Sequence, residues 1–357
     1  MKRSLGVFCF YDPQGIVDDY IIFILESLKE VLNEIIVVVN GEICNESYCK
    51  LANEVDYIVV RENKGYDAGA YKEILLNYCN VNEWDEIVLF NGTFYGPFVE
   101  WKTIFEKMQK YDFWGLYKNI TYEKTYLASF FLVFEKNLIR EKLFMHFWEQ
   151  MELPDSYFSD FKVFEEPLVE YFSNAGYTWS DWYSENGGIK EDNVPIYKKH
   201  TLEELVKTYK MPVIKYKWFS VVYYMETLIN LKFIIEDTSY NYELIEQHHN
   251  RLERINKMYP FSQSKLDDYI SNYDAVYIYG HGVYGKGIAN YCEYKGKQVK
   301  GFVVSKPNGI DEMSIRETNF DDRTGMIVAV GAGLVQEVRM SLGDFCSTDH
   351  ILYPINS

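Results

Sequence analysis

The sequence contains no run of about 18 uncharged apolar residues, so it offers no segment that would cross a bilayer as a helix. Nor does it contain a Cys-X-X-Cys pair. Of the six cysteines, Cys9, Cys44, Cys49, Cys79, Cys292 and Cys346, two lie in apolar strand-like runs, which fits reduced thiols better than a zinc site or a disulfide framework. Positive charge is scarce: 36 Lys and Arg stand against 53 Asp and Glu, a net charge of −17. Nucleic acid is thereby excluded as the main partner, because phosphate contacts require clustered cations. Any phosphate site must be local, made of a few basic side chains, backbone amides or a metal. Internal repeats and low-complexity tracts are also missing. The opening MKRSLGVFCFYDPQ has a short apolar core followed by acids and reads as a first strand, not a secretion signal. The expected location is the cytoplasm.

What is present is a folded chain of 357 residues, long enough for two domains, with 48% apolar and 25% charged residues. Aromatics reach 17%, including 32 tyrosines. That abundance has two readings, sugar-facing rings or a codon bias toward tyrosine. Apolar runs alternate with helical periodicity through the first hundred residues. Strands are expected at 5–11, 34–40, 55–62 and 85–91, with helices at 15–32 and 68–79. Such alternation predicts an α/β fold with a mostly parallel sheet. Aromatic-rich strands are expected at 112–119 and 127–137 and an amphipathic helix at 164–177. Residues 236–265 read as a helical linker, and 266–357 as a small Rossmann-like α/β domain following a first domain at 1–235.

Ligands of open α/β sheets bind outside the carboxyl ends of the strands. The polar residues there are Tyr11 and Asp12, Asn40, Arg61 with Asn63, and Asn91. RENKGYDAGAY, residues 61–71, is the densest of these stretches. Gly65 and Gly69 allow close backbone approach or positive φ. Arg61 offers a fork of donors for a diphosphate, and Asp67 an acceptor for a hydroxyl. A helix amino end just beyond favours negative charge. These features suit a nucleotide diphosphate-sugar; they also suit a polar loop capping a helix.

FYDPQGIVDDYI, VVVN, RENKGYDAGAYKE, DEIVLFNGTFYGPF, FWGLY and FEEPLVEYFSNAGY occur in this order. The series resembles the rhamnan synthesis protein F family of bacterial glycosyltransferases, over roughly residues 4–235. The resemblance implies a GT-A-like nucleotide-sugar fold. It also implies inverting transfer of a deoxysugar, commonly L-rhamnose from dTDP-L-rhamnose, to a surface polysaccharide or a lipid-linked glycan acceptor. Arg61, Asn63, Gly65 and Asp67 match the family's donor segment, and Asn91, Thr93, Tyr95, Gly96 and Pro97 its NDS-YGP segment. Trp114 and Gly115 match its WG strand, so that Trp114 and nearby Tyr117 become candidates for stacking on a sugar. Glu165 falls on the family's glutamate and is the first choice for general base, with Glu166 second, although two glutamates opening a helix are also favoured by its dipole. PVIKYKWF places Lys215 near the site. Tyr11, Asp12 and Asn40 complete the donor candidates; Asp12 is also a natural turn residue before Pro13.

One departure matters: the aspartate of NDS is replaced by Gly92. Hard divalent cations want carboxylate oxygens. No cofactor is therefore expected to be required, with Mg²⁺ or Mn²⁺ the less favoured case and no metal ligands assigned. A UDP-sugar donor and a non-catalytic sugar-nucleotide-binding subunit are the alternatives. In the second domain GHGVYGKG carries a literal G-X-G-X-X-G through Gly280, Gly282 and Gly285, between strand and helix. Ser305 and Lys306 stand where a dinucleotide site has an acid. The lysine- and tyrosine-rich segment 207–224 reads as an acceptor groove or core, or as a peripheral contact with the inner face of the cell membrane.

Overall fold

The computed structural model describes residues 2–121, 124–155, 161–189, 196–216, 231–251, 263–307, 309, 312–330, 334–342 and 350–353. Cys346, Lys217–Tyr224 and residues 252–262 of the expected linker lie outside them. The chain divides into two compact units, Met1–Tyr216 with Ile234–Ile245, and Lys217–Phe233 with Glu246–Ser357.

The first unit is built on β1 (Ser4–Phe10), β2 (Glu34–Asn40), β3 (Tyr57–Arg61) and β4 (Glu86–Asn91). Helices α1 (Asp19–Leu28), α2 (Asn45–Ala52) and α3 (Tyr66–Asn77) connect them. The four strands pair in parallel in the order β3-β2-β1-β4. Strands β1, β2 and β4 are apolar almost throughout and buried along nearly their whole length, as strands covered on both faces must be. Each fully buried Leu, Ile or Phe contributes about 1.5–3 kcal/mol. β3 is the edge and is only half covered.

Beyond β4 come β5 (Phe94–Tyr95), helix α4 (Trp101–Met108), β6 (Phe113–Gly115), the hairpin β7 (Lys118–Thr121) and β8 (Lys124–Leu127), and β9 (Phe131–Glu135). β9 runs antiparallel to both β4 and β6. β10 (Trp179–Asp181) pairs parallel to β6 at the far edge, giving seven strands in the order β10-β6-β9-β4-β1-β2-β3. The reversed β9 brings its amino end, Ser129 and Phe130, to the edge where β1–β4 end. Two-residue β11 (Ile214–Lys215) pairs with β5. Segment 164–177 is helical at Glu166–Asn174, preceded by a π turn at Phe161–Glu165.

Aromatic residues fill much of this core. Trp101 stacks on Phe131 at 4.7 Å, and Phe113, Phe134, Phe144 and Phe172 form one cluster. Many of the rings that might have faced a sugar face one another.

The second unit has a parallel sheet of β12 (Ala275–Tyr279), β13 (Gln298–Val303), β14 (Glu312–Met313), β15 (Thr324–Val328) and β16 (Ile351–Leu352). Their order is β14-β13-β12-β15-β16, with the first strand central, as in a Rossmann half. The helix Val283–Tyr294 follows β12.

Candidate active site

The carboxyl ends of β1 to β4 are joined by one chain of hydrogen bonds. Arg61, the last residue of β3, sends Nε to Glu73 Oε2 (2.7 Å), one terminal nitrogen to Asn40 Oδ1 (2.6 Å) and the other to the Lys64 carbonyl (2.7 Å). Asn40, ending β2, passes its amide to the Tyr66 carbonyl (3.0 Å) and to Cys9 Sγ (3.3 Å). The Cys9 thiol donates to Asp67 Oδ1 (3.2 Å), and Asn91 at the end of β4 donates to Asp67 Oδ2 (2.5 Å). Asn91 Oδ1 in turn accepts from Thr93 N (3.0 Å) and Thr93 Oγ1 (2.6 Å). The turn into α3 is therefore anchored across all four strand ends.

Glycine makes that turn possible at two places. Gly65 has φ +79°, in the left-handed region. A Cβ on Gly69 would stand 2.5 Å from the Lys64 carbonyl oxygen. Within this frame the guanidinium of Arg61 is spent on shaping the loop, while Asn63 and Lys64 stand exposed on it.

Glu165 arrives from the other side. Its Oε1 accepts both the backbone N–H of Ser129 (2.9 Å) and the Ser129 hydroxyl (2.5 Å). Among the described residues Oε2 takes no hydrogen bond. Phe130, next to Ser129, accepts from Asn91 N (3.1 Å), so Glu165 and the donor-side asparagine are linked through the Ser129–Phe130 segment. Glu166 behaves differently: it pairs with Lys162 (2.8 Å) and Lys124 (3.4 Å). The hydrogen bond from Lys162, with further help from Lys124, holds its carboxyl below the usual range.

Lys215 reaches the same Phe130. It pairs opposite Phe94 and its ammonium sits 4.4 Å from the Phe130 ring centre, only 8% exposed. Tyr95 is enclosed between Tyr20 and Tyr216, and burial raises its hydroxyl well above the ordinary value. Tyr11 projects 58% exposed after β1. Asp12 Oδ1 accepts from Gln14 N (2.9 Å) and Ile16 N (3.0 Å), the pattern of a turn residue.

Two expectations are corrected. Trp114 and Tyr117 are 0% and 5% exposed, so neither presents a face to a sugar. Trp114 packs edge-on against Phe105 at 5.1 Å and Tyr117 against Phe130 at 5.5 Å. Trp114 is core because β6 is an interior strand, and Tyr117, just beyond it, because it packs on Phe130.

Gly92 carries no carboxylate, and a Cβ there would lie 2.5 Å from Ile21 Cδ1, so a larger residue would need that side chain to move. Among the described residues no cluster of three or more His, Cys, Asp or Glu could hold a metal ion. Sequence reading missed Ser129, which orients Glu165, and Glu73, which fixes Arg61. It also missed buried Asp181 at the end of β10, which accepts from Ser184 N and Oγ and whose carboxyl burial pushes up. Only the strand-end position of Asp181 could have signalled it.

In the second unit Gly280 has φ +108°, and a Cβ on Gly285 would fall 1.8 Å from the Gly280 carbonyl oxygen. Gly282 caps the helix Val283–Tyr294. Next to the turn, His281 pairs with Glu312 at 2.8 Å and Tyr279 with Ser305 at 3.0 Å. No carboxylate follows β13 directly; Ser305 and Lys306 are exposed there.

Comparison with known proteins gives three kinds of result. The chain resembles, at the level of fold, HddC from Yersinia pseudotuberculosis (12% identity, 51% of this chain and 89% of that one, TM-score 0.33). It also resembles 4-diphosphocytidyl-2C-methyl-D-erythritol synthase from Anaerococcus prevotii (12%, 58% and 97%, TM-score 0.35) and the glycosyltransferase GlyE of Streptococcus pneumoniae (10%, 97% and 100%, TM-score 0.34). Likeness at this level implies no shared activity. No curated protein matches the chain. The model of the rhamnan synthesis protein F family matches residues 35–284, well over half the sequence, running past the expected limit of residue 235 into the glycine turn of the second unit. The chain belongs to the rhamnan synthesis protein F family, and with it to the nucleotide-sugar glycosyltransferases.

Proposed function

We propose that the first unit transfers a deoxysugar, L-rhamnose from dTDP-L-rhamnose, to a hydroxyl of a surface-polysaccharide or lipid-linked glycan acceptor, with inversion at the anomeric carbon. The observation that carries the reading is the state of Glu165. Ser129 locks one carboxylate oxygen with two hydrogen bonds, and the other takes none among the described residues. A base held by a third group and left with one open oxygen is the arrangement general-base catalysis needs. Glu165 takes the proton of the acceptor hydroxyl; the acceptor oxygen bonds to the anomeric carbon; the bond from that carbon to the diphosphate oxygen breaks and the nucleoside diphosphate leaves. Glu166, already paired with two lysines, is the poorer base.

The donor lies over the ends of β1, β2 and β4, with Asn91, Thr93 and Asp67 toward the sugar. Its diphosphate is met by Lys215 and by the exposed Lys64, since Arg61 is engaged in the loop. Transfer proceeds without a divalent cation; the lack of a carboxylate in Asn91-Gly92-Thr93 supports this reading.

The test is transfer from dTDP-L-rhamnose, and from UDP-sugars in parallel, with and without Mn²⁺. Glu165→Gln is expected to lower kcat by about 10²–10⁴-fold with donor affinity kept, and Glu166→Gln to change it by no more than a few-fold. Donor binding without any product from the wild type would make the protein a binding subunit and overturn the catalytic reading.

A further inference from the structure

Tyr66 is one of two non-glycine residues among those described with positive φ, at +49°. An aromatic residue there is unusual, because its Cβ crowds the following carbonyl. Glycine would adopt the same conformation freely, as Gly65 does one residue earlier at +79°. Strain of this kind persists where surrounding contacts over-determine it. Here Asn40 holds the Tyr66 carbonyl (3.0 Å), Arg61 holds the Lys64 carbonyl (2.7 Å), and Asp67 is held between Cys9 and Asn91. All these bonds fix the backbone and none touches the ring. The ring is 37% exposed and makes no hydrogen bond or ring contact among the described residues.

The same bonds place Tyr66 relative to the strand ends. Asn40, which carries the Tyr66 carbonyl, ends β2; its neighbour β1 ends at Phe10, followed by exposed Tyr11. Two tyrosines thus rise on the β1–β2 side of the strand ends. The charged groups, Glu165 and Lys215, lie on the β4–β9 side. A nucleotide-sugar has the same polarity: a planar base at one end and an anionic diphosphate with its sugar at the other. We propose that Tyr66 is a base-stacking residue of the donor site, displayed by a backbone that the polar relay keeps strained. The proposal rests on the nucleotide-sugar reading given above and adds the residue that grips the nucleobase.

Binding of dTDP and of dTDP-L-rhamnose is measured by calorimetry for wild type, Tyr66→Phe, Tyr66→Gly and Tyr66→Asn, each with a thermal melt. Asparagine tolerates positive φ, so two variants relieve the strain independently. Both are expected to melt at or above the wild-type temperature, yet to bind dTDP and the full donor about 5–100-fold more weakly, the range of one base–aromatic stack. Tyr66→Phe is expected to bind within about threefold of wild type, since stacking needs the ring and not the hydroxyl. A merely structural residue would move stability and binding together. Unchanged dTDP binding in the Gly and Asn variants would overturn the proposal, as would a loss confined to the sugar-bearing donor. Wild-type protein that binds neither dTDP, UDP nor their sugars would instead remove the functional reading beneath it.

Discussion

Both units of the molecule send a strand through a glycine-containing turn into a helix, yet they build that turn by different means. In the second unit the link from β12 to its helix is three residues long and its form depends on missing side chains. The Gly280 carbonyl sits where a Cβ of Gly285 would be, and the turn is tied to the sheet by Gly280 N donating to the Val303 carbonyl (2.8 Å). In the first unit the turn from β3 to α3 also needs Gly65 and Gly69, but it depends in addition on side chains that are present. Arg61, Asn40, Cys9 and Asn91 reach it from four strands, the last two through Asp67 at the start of α3. A turn shaped by glycine is all backbone, tolerant of its surroundings and intolerant of substitution. A turn shaped by hydrogen-bonded side chains can hold a strained residue such as Tyr66 and present it, and each link is a place where it can fail.

The contrast breaks most visibly at Gly285. Gly285→Ala forces a Cβ into a backbone carbonyl, and overpacking of this kind costs about 1–3 kcal/mol or more. A melt is expected to show an early loss of the second unit, while dTDP-L-rhamnose binding stays at the wild-type value. Loss of donor binding in this variant would mean that the second unit serves the donor site. Arg61→Ala should have the smaller effect on stability and the larger one on function. It removes three bonds from a guanidinium with little exposure, at a cost of about 1.5–3 kcal/mol. Its readout is weakened binding of both dTDP and the full donor through a loosened Tyr66–Asp67 turn. Arg61→Lys is expected to rescue little, because an ammonium cannot serve three divergent acceptors in the plane of a guanidinium. Wild-type donor affinity in Arg61→Ala would show that the turn keeps its shape without the relay.

These differences also mark where the sequence could be read and where it could not. The central strands β1, β2 and β4 were plain, because a strand covered on both faces is an unbroken apolar run. The polar residues that close them, Asn40, Arg61 and Asn91, followed by position. What Arg61 does with its donors was not legible: Glu73 lies 12 residues on, and nothing local shows that the fork turns inward. The direction of β9 was equally hidden, since antiparallel and parallel buried strands share one composition. With it went Ser129, which became a partner of Glu165 only after the reversal carried it to the ligand edge. Trp114 was misjudged for the same reason: a strand of three residues is too short to show which face is buried. Tyr66 could not be singled out at all, because nothing in Gly-Tyr-Asp announces a left-handed tyrosine.

The smallest expected effect separates the turn from the stability of the unit that bears it. At the opposite, amino-terminal edge of the first sheet, Lys2 lies between Glu86 (2.6 Å) and Glu135 (2.8 Å), one cation for two largely buried carboxylates. Burial, followed by the charge of Glu86, pushes the Glu135 carboxyl up to about 8, against the pull of Lys2. The two carboxylates outweigh the effect of burial on Lys2 and raise its ammonium, so Lys2 stays charged throughout. A carboxyl whose folded pKa is raised binds more protons folded than unfolded between its ordinary value and the raised one. Stability is therefore greatest below that window and falls as pH rises through it. From about pH 6.5 to about pH 8 the loss is expected to be about 1–2 kcal/mol, a fall of about 2–8 °C in Tm. Glu135→Gln, which cannot ionise, should flatten the slope. Arg61→Ala should lower the whole curve and keep its slope, because it leaves Lys2, Glu86 and Glu135 untouched at the other edge of the sheet. A slope that vanished in Arg61→Ala and survived in Glu135→Gln would place the titrating group at the turn, and the side-chain relay would then be a pH-sensitive element in its own right.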